Sequence, residues 1–524
     1  MTQADAEVRL SEHLAKQWRK GVSRIMQALE AAPWRRLISQ TQSDGASRHS
    51  RPLWSLVLTA FGGILLALAY AQEPIWWAAW LAPAAILAAA LLATRGSRKW
   101  LALAAGLIGG ATSLPYYATV SESWAIALAL VAARAVLWMW MIGVAARAAE
   151  RWHPAVAVFA LPVLLAAAET LIARFSPHGA AGSYAYSQMD ALPLVQIASL
   201  GGGASLVAVI GLGASALGLG TARKLGWPGG NGAGYAMAIA AAALAGTLAF
   251  GLLRLSQAPA LAQGREVTLI ARDSLGGPPG DAQRFWDNYG PVLDREVQPG
   301  RIVVLPEALR ILPGAAADAL AGKLAQIAAA RGAAIVAGFI VDHGGIRTNR
   351  AVVAFPDRSI AWYDKQHLVP ASEASISPGR SPLVVEIGGV KVGIAICKDM
   401  HFPALGRDYG VQGAKLMLVP ANDFTVDAWM ASRMTALRGV ESGFAIARTA
   451  RRGLMTVSDR YGRILAEQAS GPETTVLNAR FPAADEEPPT IFARYNWAVD
   501  WLSISLAAIL LWRMRRSRRR EPAA

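Results

Sequence analysis

Three side chains in this sequence could together move an acyl group. Glu307 closes "RIVVLPE", Lys365 closes "IAWYDK" and Cys397 closes "GVKVGIAIC", and each preceding run reads as a short apolar strand. Strand ends on one edge of a layered sheet bring distant residues together and are where α/β folds hold their sites. A thiolate attacks a carbonyl, a carboxylate takes the thiol proton, and an ammonium steadies the developing oxyanion. A nearby lysine also favours thiolate over thiol. Taken singly, each residue has a plainer reading. A lone cysteine packs as a small hydrophobe, Glu307 could be a helix-terminal charge, and Lys365 a solvated strand end. Spacing alone leaves both readings open.

The elements that must hold these residues alternate in type over about 265–488. "REVTLIARD" and "RIVVLPEALRILP" read as strands, with a helix over about 314–331 after them. "AAIVAGFIV", "NRAVVAFP" and "IAWYDKQHLVP" follow, and "LVVEIGGVKVGIAIC" reads as a hairpin turning at Gly388-Gly389. A helix after Pro403, the strand "KLMLVPAND", a helix near 427–442, and the strands "GFAIARTA" and "GLMTVSDRYGRIL" complete the set. The alternation implies an α/β domain of two sheets with helices packed outside.

The rest of the chain is of another kind. Of 524 residues 54% are hydrophobic and 17% charged, with 18 tryptophans. That profile suits a polytopic membrane protein. Spans are expected at 52–71, 75–94, 99–117, 124–146, 154–173, 191–220, 234–255 and near 497–512, given roughly 20 residues per crossing. The sixth contains Gly201-Gly202-Gly203 and is expected to be kinked or partly re-entrant. The net charge of +15 follows the loops instead of forming a basic face with aromatics, so nucleic acid is not an expected partner. Segments 1–51, 95–99, 147–151, 223–224 and 513–520 carry 22 of the 51 lysines and arginines, which puts both termini in the cytoplasm and 265–488 outside. Arg134 and Glu169 fall within spans, where ionisable groups are functional candidates or are satisfied inside the bundle.

The polar, Arg-rich start lacks the usual form of a cleavable signal peptide. Leu10, Leu14, Trp18, Val22, Ile25 and Leu29 give it helical spacing with a basic opposite face. It reads equally as a helix lying on the cytoplasmic leaflet or as a solvated tail. The single cysteine excludes an internal disulfide, and no Cys/His cluster suggests a metal; no cofactor is expected.

"LPEALRILP", "YDKQHLVPASE" and "GVKVGIAICKD" resemble the Glu, Lys and Cys motifs of the carbon–nitrogen hydrolase (nitrilase) superfamily. The likeness is closest to its membrane-bound branch, the apolipoprotein N-acyltransferases. "GSYAYSQMDALPLVQIASLGG", Asn349 in "NRAVV" and Asn422-Asp423 in "PANDF" also fit, and the resemblance covers roughly 52–512. It implies an eight-span helical membrane domain plus a nitrilase-like αββα sandwich facing the periplasm of a bacterial inner membrane. The division would be an extension at 1–51, seven spans at 52–256, a catalytic domain at 265–488, and a final span with a basic tail at 495–524.

The resemblance further implies that Cys397 takes an acyl chain from a phospholipid as a thioester and passes it to the N-terminal amine of a diacylglyceryl-cysteine lipoprotein. Glu307 would be base and then acid, Lys365 the oxyanion stabiliser, with Glu373, Lys398, Asp399 and Asn422 in support; a monomer is expected. The sequence departs from the family where Lys398 and Asp399 replace an aromatic and Glu, at Phe424-Thr425-Val426 with Trp429 displaced, and in "RTARRG" at 448–453. These positions are expected to line the mouth of the site, touch substrates and add positive charge there. A membrane-tethered amidase, in which water resolves the thioester, and a divergent paralogue that acylates another amine or binds lipoproteins without catalysis are the alternatives.

Overall fold

The computed structural model describes residues 46–259, 264–273, 282–370, 372–482 and 488–518. The extension's helical spacing over Leu10–Leu29 lies outside these residues. Among the described residues, seven helices are long and apolar enough to cross a membrane. They are α1 (Ala46–Ala69), α3 (Arg98–Ser121), α4 (Trp124–Arg151), α5 (Pro154–Phe175), α6 (Ala198–Lys224), α7 (Ala233–Ser256) and α12 (Ile491–Arg518).

The second expected span is shorter than its apolar run. Helix α2 covers Ala78–Leu92, and 15 residues reach only about 22 Å, less than the hydrocarbon core. Nearly every side chain of α2 is buried, so this helix packs inside the bundle.

The two ionisable groups within spans have different surroundings. The Arg134 guanidinium lies over Tyr70, 4.2 Å from the ring centre, and 5.2 Å from that of Tyr117. Glu169 lies elsewhere, with Oε1 3.3 Å from where a Gly203 Cβ would stand.

The glycine triplet breaks α6 as expected. Gly202 has φ 62° and ψ −164°, backbone that glycine alone adopts readily. The helix restarts at Gly203, whose N–H donates to Glu441 Oε1 at 2.8 Å, a carboxylate at a helix start. Phe492 of α12 fills the notch: a Cβ on Gly202 would lie 2.5 Å from its ring.

Two sheets form the other half. The first has the order β14-β1-β2-β4-β5-β6, from β1 (Arg265–Ala271), β2 (Ile302–Val304), β4 (Ala334–His343), β5 (Ile346–Ala354), β6 (Ile360–Asp364) and β14 (Thr475–Phe481). The short β3 (Ile311–Pro313) and β7 (Ile376–Ser377) pair with β4 and β5. The second has the order β13-β12-β11-β10-β9-β8, from β8 (Leu383–Ile387), β9 (Val390–Ile394), β10 (Leu416–Asn422), β11 (Ala445–Arg451), β12 (Leu454–Ser458) and β13 (Ile464–Ala469). The β8–β9 hairpin turns at Gly388 and Gly389, both with positive φ, as a two-residue turn matched to strand twist requires.

Val267, Val304 and Tyr363 of the first sheet meet Val392, Leu418 and Val457 of the second in one buried cluster. Helices α8 (Gln283–Glu296) and α9 (Gly314–Arg331) cover the first sheet through Phe285, Leu320 and Leu324. Helices α10 (Pro403–Val411) and α11 (Ala428–Ser442) cover the second and in turn pack on α12 and α6. The result is an αββα sandwich standing on a helical bundle.

Gly202→Ala should lower stability in detergent by about 1–3 kcal/mol, since it adds backbone strain and a clash with Phe492. Gly246→Ala in α7, where nothing lies within 4 Å, should be neutral or slightly stabilising. Equal thermal shifts for the two variants would contradict the notch.

Candidate active site

Strands β1, β2 and β4 run parallel, β5 runs against them and β6 returns with them. Strands β9, β10 and β11 are likewise parallel. The chain therefore leaves β2, β6, β9 and β10 at one rim, where Glu307, Lys365, Cys397 and Asn422 line a common cavity of about 360 Å³.

Each residue is set by local backbone. The Glu307 loop is stitched to β4 by Leu305 N–H to Val336 O and Leu309 N–H to Gly338 O, both 2.8 Å. Gly338 must lack a side chain there, because a Cβ would lie 2.7 Å from Glu307 Cα. Lys365 is fixed by its N–H to Asn349 O at 2.8 Å and by Gly379 N–H to its own carbonyl at 2.8 Å. Cys397 stands at a sharp strand-to-helix turn with φ 45°, an uncommon value for a residue with a Cβ. Asp399 holds that turn by accepting from Ile396 N–H at 3.0 Å.

Lys365 Nζ donates to Glu307 Oε1 at 2.7 Å and Glu373 Oε2 at 2.8 Å. Asn349 Nδ2 bridges the same carboxylates, at 2.7 Å from Glu307 Oε1 and 2.6 Å from Glu373 Oε1. Val369 N–H adds a bond to Glu373 Oε2 at 2.7 Å. Burial raises Glu307 above the ordinary carboxylate range; Lys365 opposes this and Glu373 adds to it. Burial alone would lower Lys365, but Glu307, Cys397 and Glu373 outweigh it and hold the ammonium charged. The surrounding protein and the Glu307 charge push the Cys397 thiol well above its usual value, despite Lys365. At rest the sulfur therefore carries its proton, against the expectation that Lys365 would leave it ionised.

Cys397 remains partly exposed and borders a second, narrower void of about 30 Å³. Tyr116 and Val120 of the apolar helix α3 line that void, and Phe424 lines both it and the larger cavity.

The carbon-nitrogen hydrolase family model matches residues 298–484, and the apolipoprotein N-acyltransferase N-terminal domain model matches residues 62–216. Residues 298–484 thus match a carbon–nitrogen hydrolase domain, and the seven apolar helices support a multi-pass membrane protein. A Mycobacterium tuberculosis hydrolase is 32% identical over 138 residues, 23% of this chain and 49% of that one. An apolipoprotein N-acyltransferase of Geobacter metallireducens is 27% identical over 173 residues, 28% of this chain and 32% of that one. The crystal structure of a Nesterenkonia amidase is 24% identical with a TM-score of 0.37, over 46% of this chain and 97% of that one. The chain spans half or less of the length of these curated relatives.

Around the site, the supporting residues divide. Glu373 joins the Lys365 cluster. Asn422 lines the cavity, its side-chain oxygen accepting from Arg452 at 3.1 Å and its backbone carbonyl 3.8 Å from Cys397 Sγ. Lys398 borders the narrower void beside Cys397, and Asp399 lines neither cavity. Lys398 Nζ donates to Pro177 O at 2.8 Å and Leu368 O at 2.6 Å, tying the segment after α5 to the Lys365 loop. Burial, helped by Lys365, lowers its pKa to about 8. Asp399 is fully buried and accepts from Tyr363 Oη at 2.7 Å and from the Gln366 and His367 N–H groups at 3.1 and 2.9 Å. Positive charge at the cavity comes instead from Arg451 and Arg452.

The charge of Arg448, in the same departing stretch, is taken up by a buried ion pair with Asp423. The bridging of two carboxylates by Asn349 had no signal in strand periodicity, only in its family motif. Tyr116 and Val120 had none at all, the first at the end of an expected span and the second in the connection after it.

Asp399→Ala should cost about 3 kcal/mol or more, because several buried donors lose one acceptor. Arg452→Ala, on an exposed residue, should stay within about 0.5 kcal/mol of the parent. Thermal unfolding in detergent separates these outcomes.

Proposed function

We propose that the protein transfers an acyl chain from a membrane phospholipid, through a Cys397 thioester, to the N-terminal amine of a diacylglyceryl-cysteine lipoprotein. In this reading 265–488 is the periplasmic catalytic domain. The spans at 52–256 and 495–524, with cytoplasmic termini and a basic tail, hold it at the inner membrane. One observation carries the reading: the thiol borders both a cavity that holds the charged Glu307, Lys365 and Glu373 and a void walled by an apolar, membrane-length helix. Both substrates are lipid-anchored, so ordering them at that boundary supplies much of the proximity advantage. The names of the relatives from Geobacter metallireducens and Thermotoga maritima support the same activity.

The geometry suits two balanced steps. Sγ attacks the ester carbonyl carbon as Glu307 takes the thiol proton, and Lys365 stabilises the oxyanion. The C–O bond breaks, and the departing lysophospholipid oxygen receives the proton from Glu307. The lipoprotein amine then attacks the thioester carbon and gives a proton to Glu307. The C–S bond breaks, and that proton returns to sulfur. A raised Glu307 pKa suits a group that must both take and return a proton.

A second reading, a membrane-tethered amidase, is favoured by the larger cavity with its charged side chains, where water could discharge the thioester. Mass spectrometry of the protein after exposure to phospholipid distinguishes the two. The transferase reading expects an acyl adduct on Cys397, discharged by a diacylated lipopeptide and stable to water. Discharge by water at the same rate favours the amidase. An adduct that persists in Cys397→Ala would sink the nucleophile assignment.

The pH dependence has a definite sign. Glu307 must be a carboxylate to accept the proton, so acylation should fall as pH drops through a value above the ordinary 4.5. Glu373→Gln removes a like charge and should move that limb to lower pH. It should also slow acylation on the order of 100-fold, because Lys365 loses one of its two anchors. A limb that stays in place in Glu373→Gln would argue against Glu307 as the base.

A further inference from the structure

The end of the bundle away from the thiol holds another cavity. Helix α3 supplies Tyr116 and Val120 to the void beside Cys397, and its first residue, Arg98, lies at the opposite end. At 1.5 Å per residue the separation is roughly 33 Å, about one hydrocarbon thickness. There, where α3 begins and α4 ends, a cavity of about 490 Å³ is lined by Arg95, Arg98, Lys99, Arg147, Arg151 and Glu150.

Among the described residues, five cationic side chains and one carboxylate line this cavity. Glu150 accepts from the Arg98 guanidinium and lies 3.8 Å from Arg95 Nε. The Arg98 side chain is only 7% exposed, and its Nε has no hydrogen-bond acceptor. A buried N–H without a partner is costly, and the cheapest remedy is an anionic oxygen from outside the chain. The start of α3 also favours negative charge. The turn before it is already fixed by Ser97 and Thr94, whose hydroxyls lie 2.8 Å apart.

Basic loops that set membrane orientation explain surface charge. They do not call for a buried guanidinium with an unmet donor in a cavity wall. The remaining wall points to a lipid: Met139 and Trp140 of α4 line the same cavity, and Trp140 is 41% exposed beside Trp100 at 60%. Exposed indoles at this depth belong to the membrane–water boundary, and an acyl chain can lie against them. We propose that this cavity binds the phosphate of an anionic phospholipid in the leaflet opposite the active site.

The test uses the full chain in detergent, stripped and then titrated with phosphatidylglycerol or phosphatidylcholine, with native mass spectrometry counting retained lipid. Phosphatidylglycerol should be retained in preference. Arg98→Gln should lose it, and Lys99→Gln/Arg147→Gln, which leaves the Arg98–Glu150 pair intact, should weaken retention on the order of tenfold or more. Cys397→Ala should bind as the parent does, which separates this site from the reaction. Equal retention of the two lipids, an unchanged Lys99→Gln/Arg147→Gln protein, or loss in Cys397→Ala would each overturn the proposal. Displacement of the lipid by millimolar sodium phosphate would identify a soluble anion instead and overturn it too.

Discussion

One ammonium held between two buried carboxylates is the constraint around which the rim is arranged. Lys365 cannot leave Glu307 and Glu373 without stranding charge in a water-poor place, and that loss is several times larger than the loss of an exposed pair. One cation does not neutralise two anions. The surplus charge is met by donors, with Asn349 reaching both carboxylates and the Val369 N–H reaching one. The glycines at 338 and 379 serve this arrangement by letting loops approach closer than any side chain would permit. Burial first, and then the Glu307 charge, raise the neighbouring thiol well above its usual value against the pull of Lys365.

What the sequence disclosed depended on how each residue is positioned. Glu307, Lys365 and Cys397 were legible because each stands where an apolar alternation stops. The break in α6 was legible because three consecutive glycines have little other use inside a span. Asn349 lies within a strand, where alternation records only which face a residue takes. Lys398 and Asp399 part ways although adjacent in sequence, the first bordering the void beside Cys397 and the second buried away from both cavities. They sit in a single tight turn of about three residues per revolution, so successive side chains point some 120° apart. The second span was overestimated because Pro74 to Trp77 are apolar yet form a connecting turn.

The sandwich and the bundle are joined by polar contacts as well as packing. Glu441 of α11 reaches the restart of α6 at Gly203 and pairs with Arg438, which approaches Tyr186 Oη at 3.3 Å. Lys398, one residue after Cys397, reaches the segment that leaves α5. The turn that carries the thiol is thus braced against the bundle, and residues 55–524 form one compact unit.

The notch at Gly202 has a bearing on biogenesis. Its filler, Phe492, is made only after every strand of both sheets has been translated, so the groove in α6 stays vacant while the sandwich is synthesised. Closing that seam is among the last events of assembly, and a chain stopped before α12 would retain an unplugged hinge.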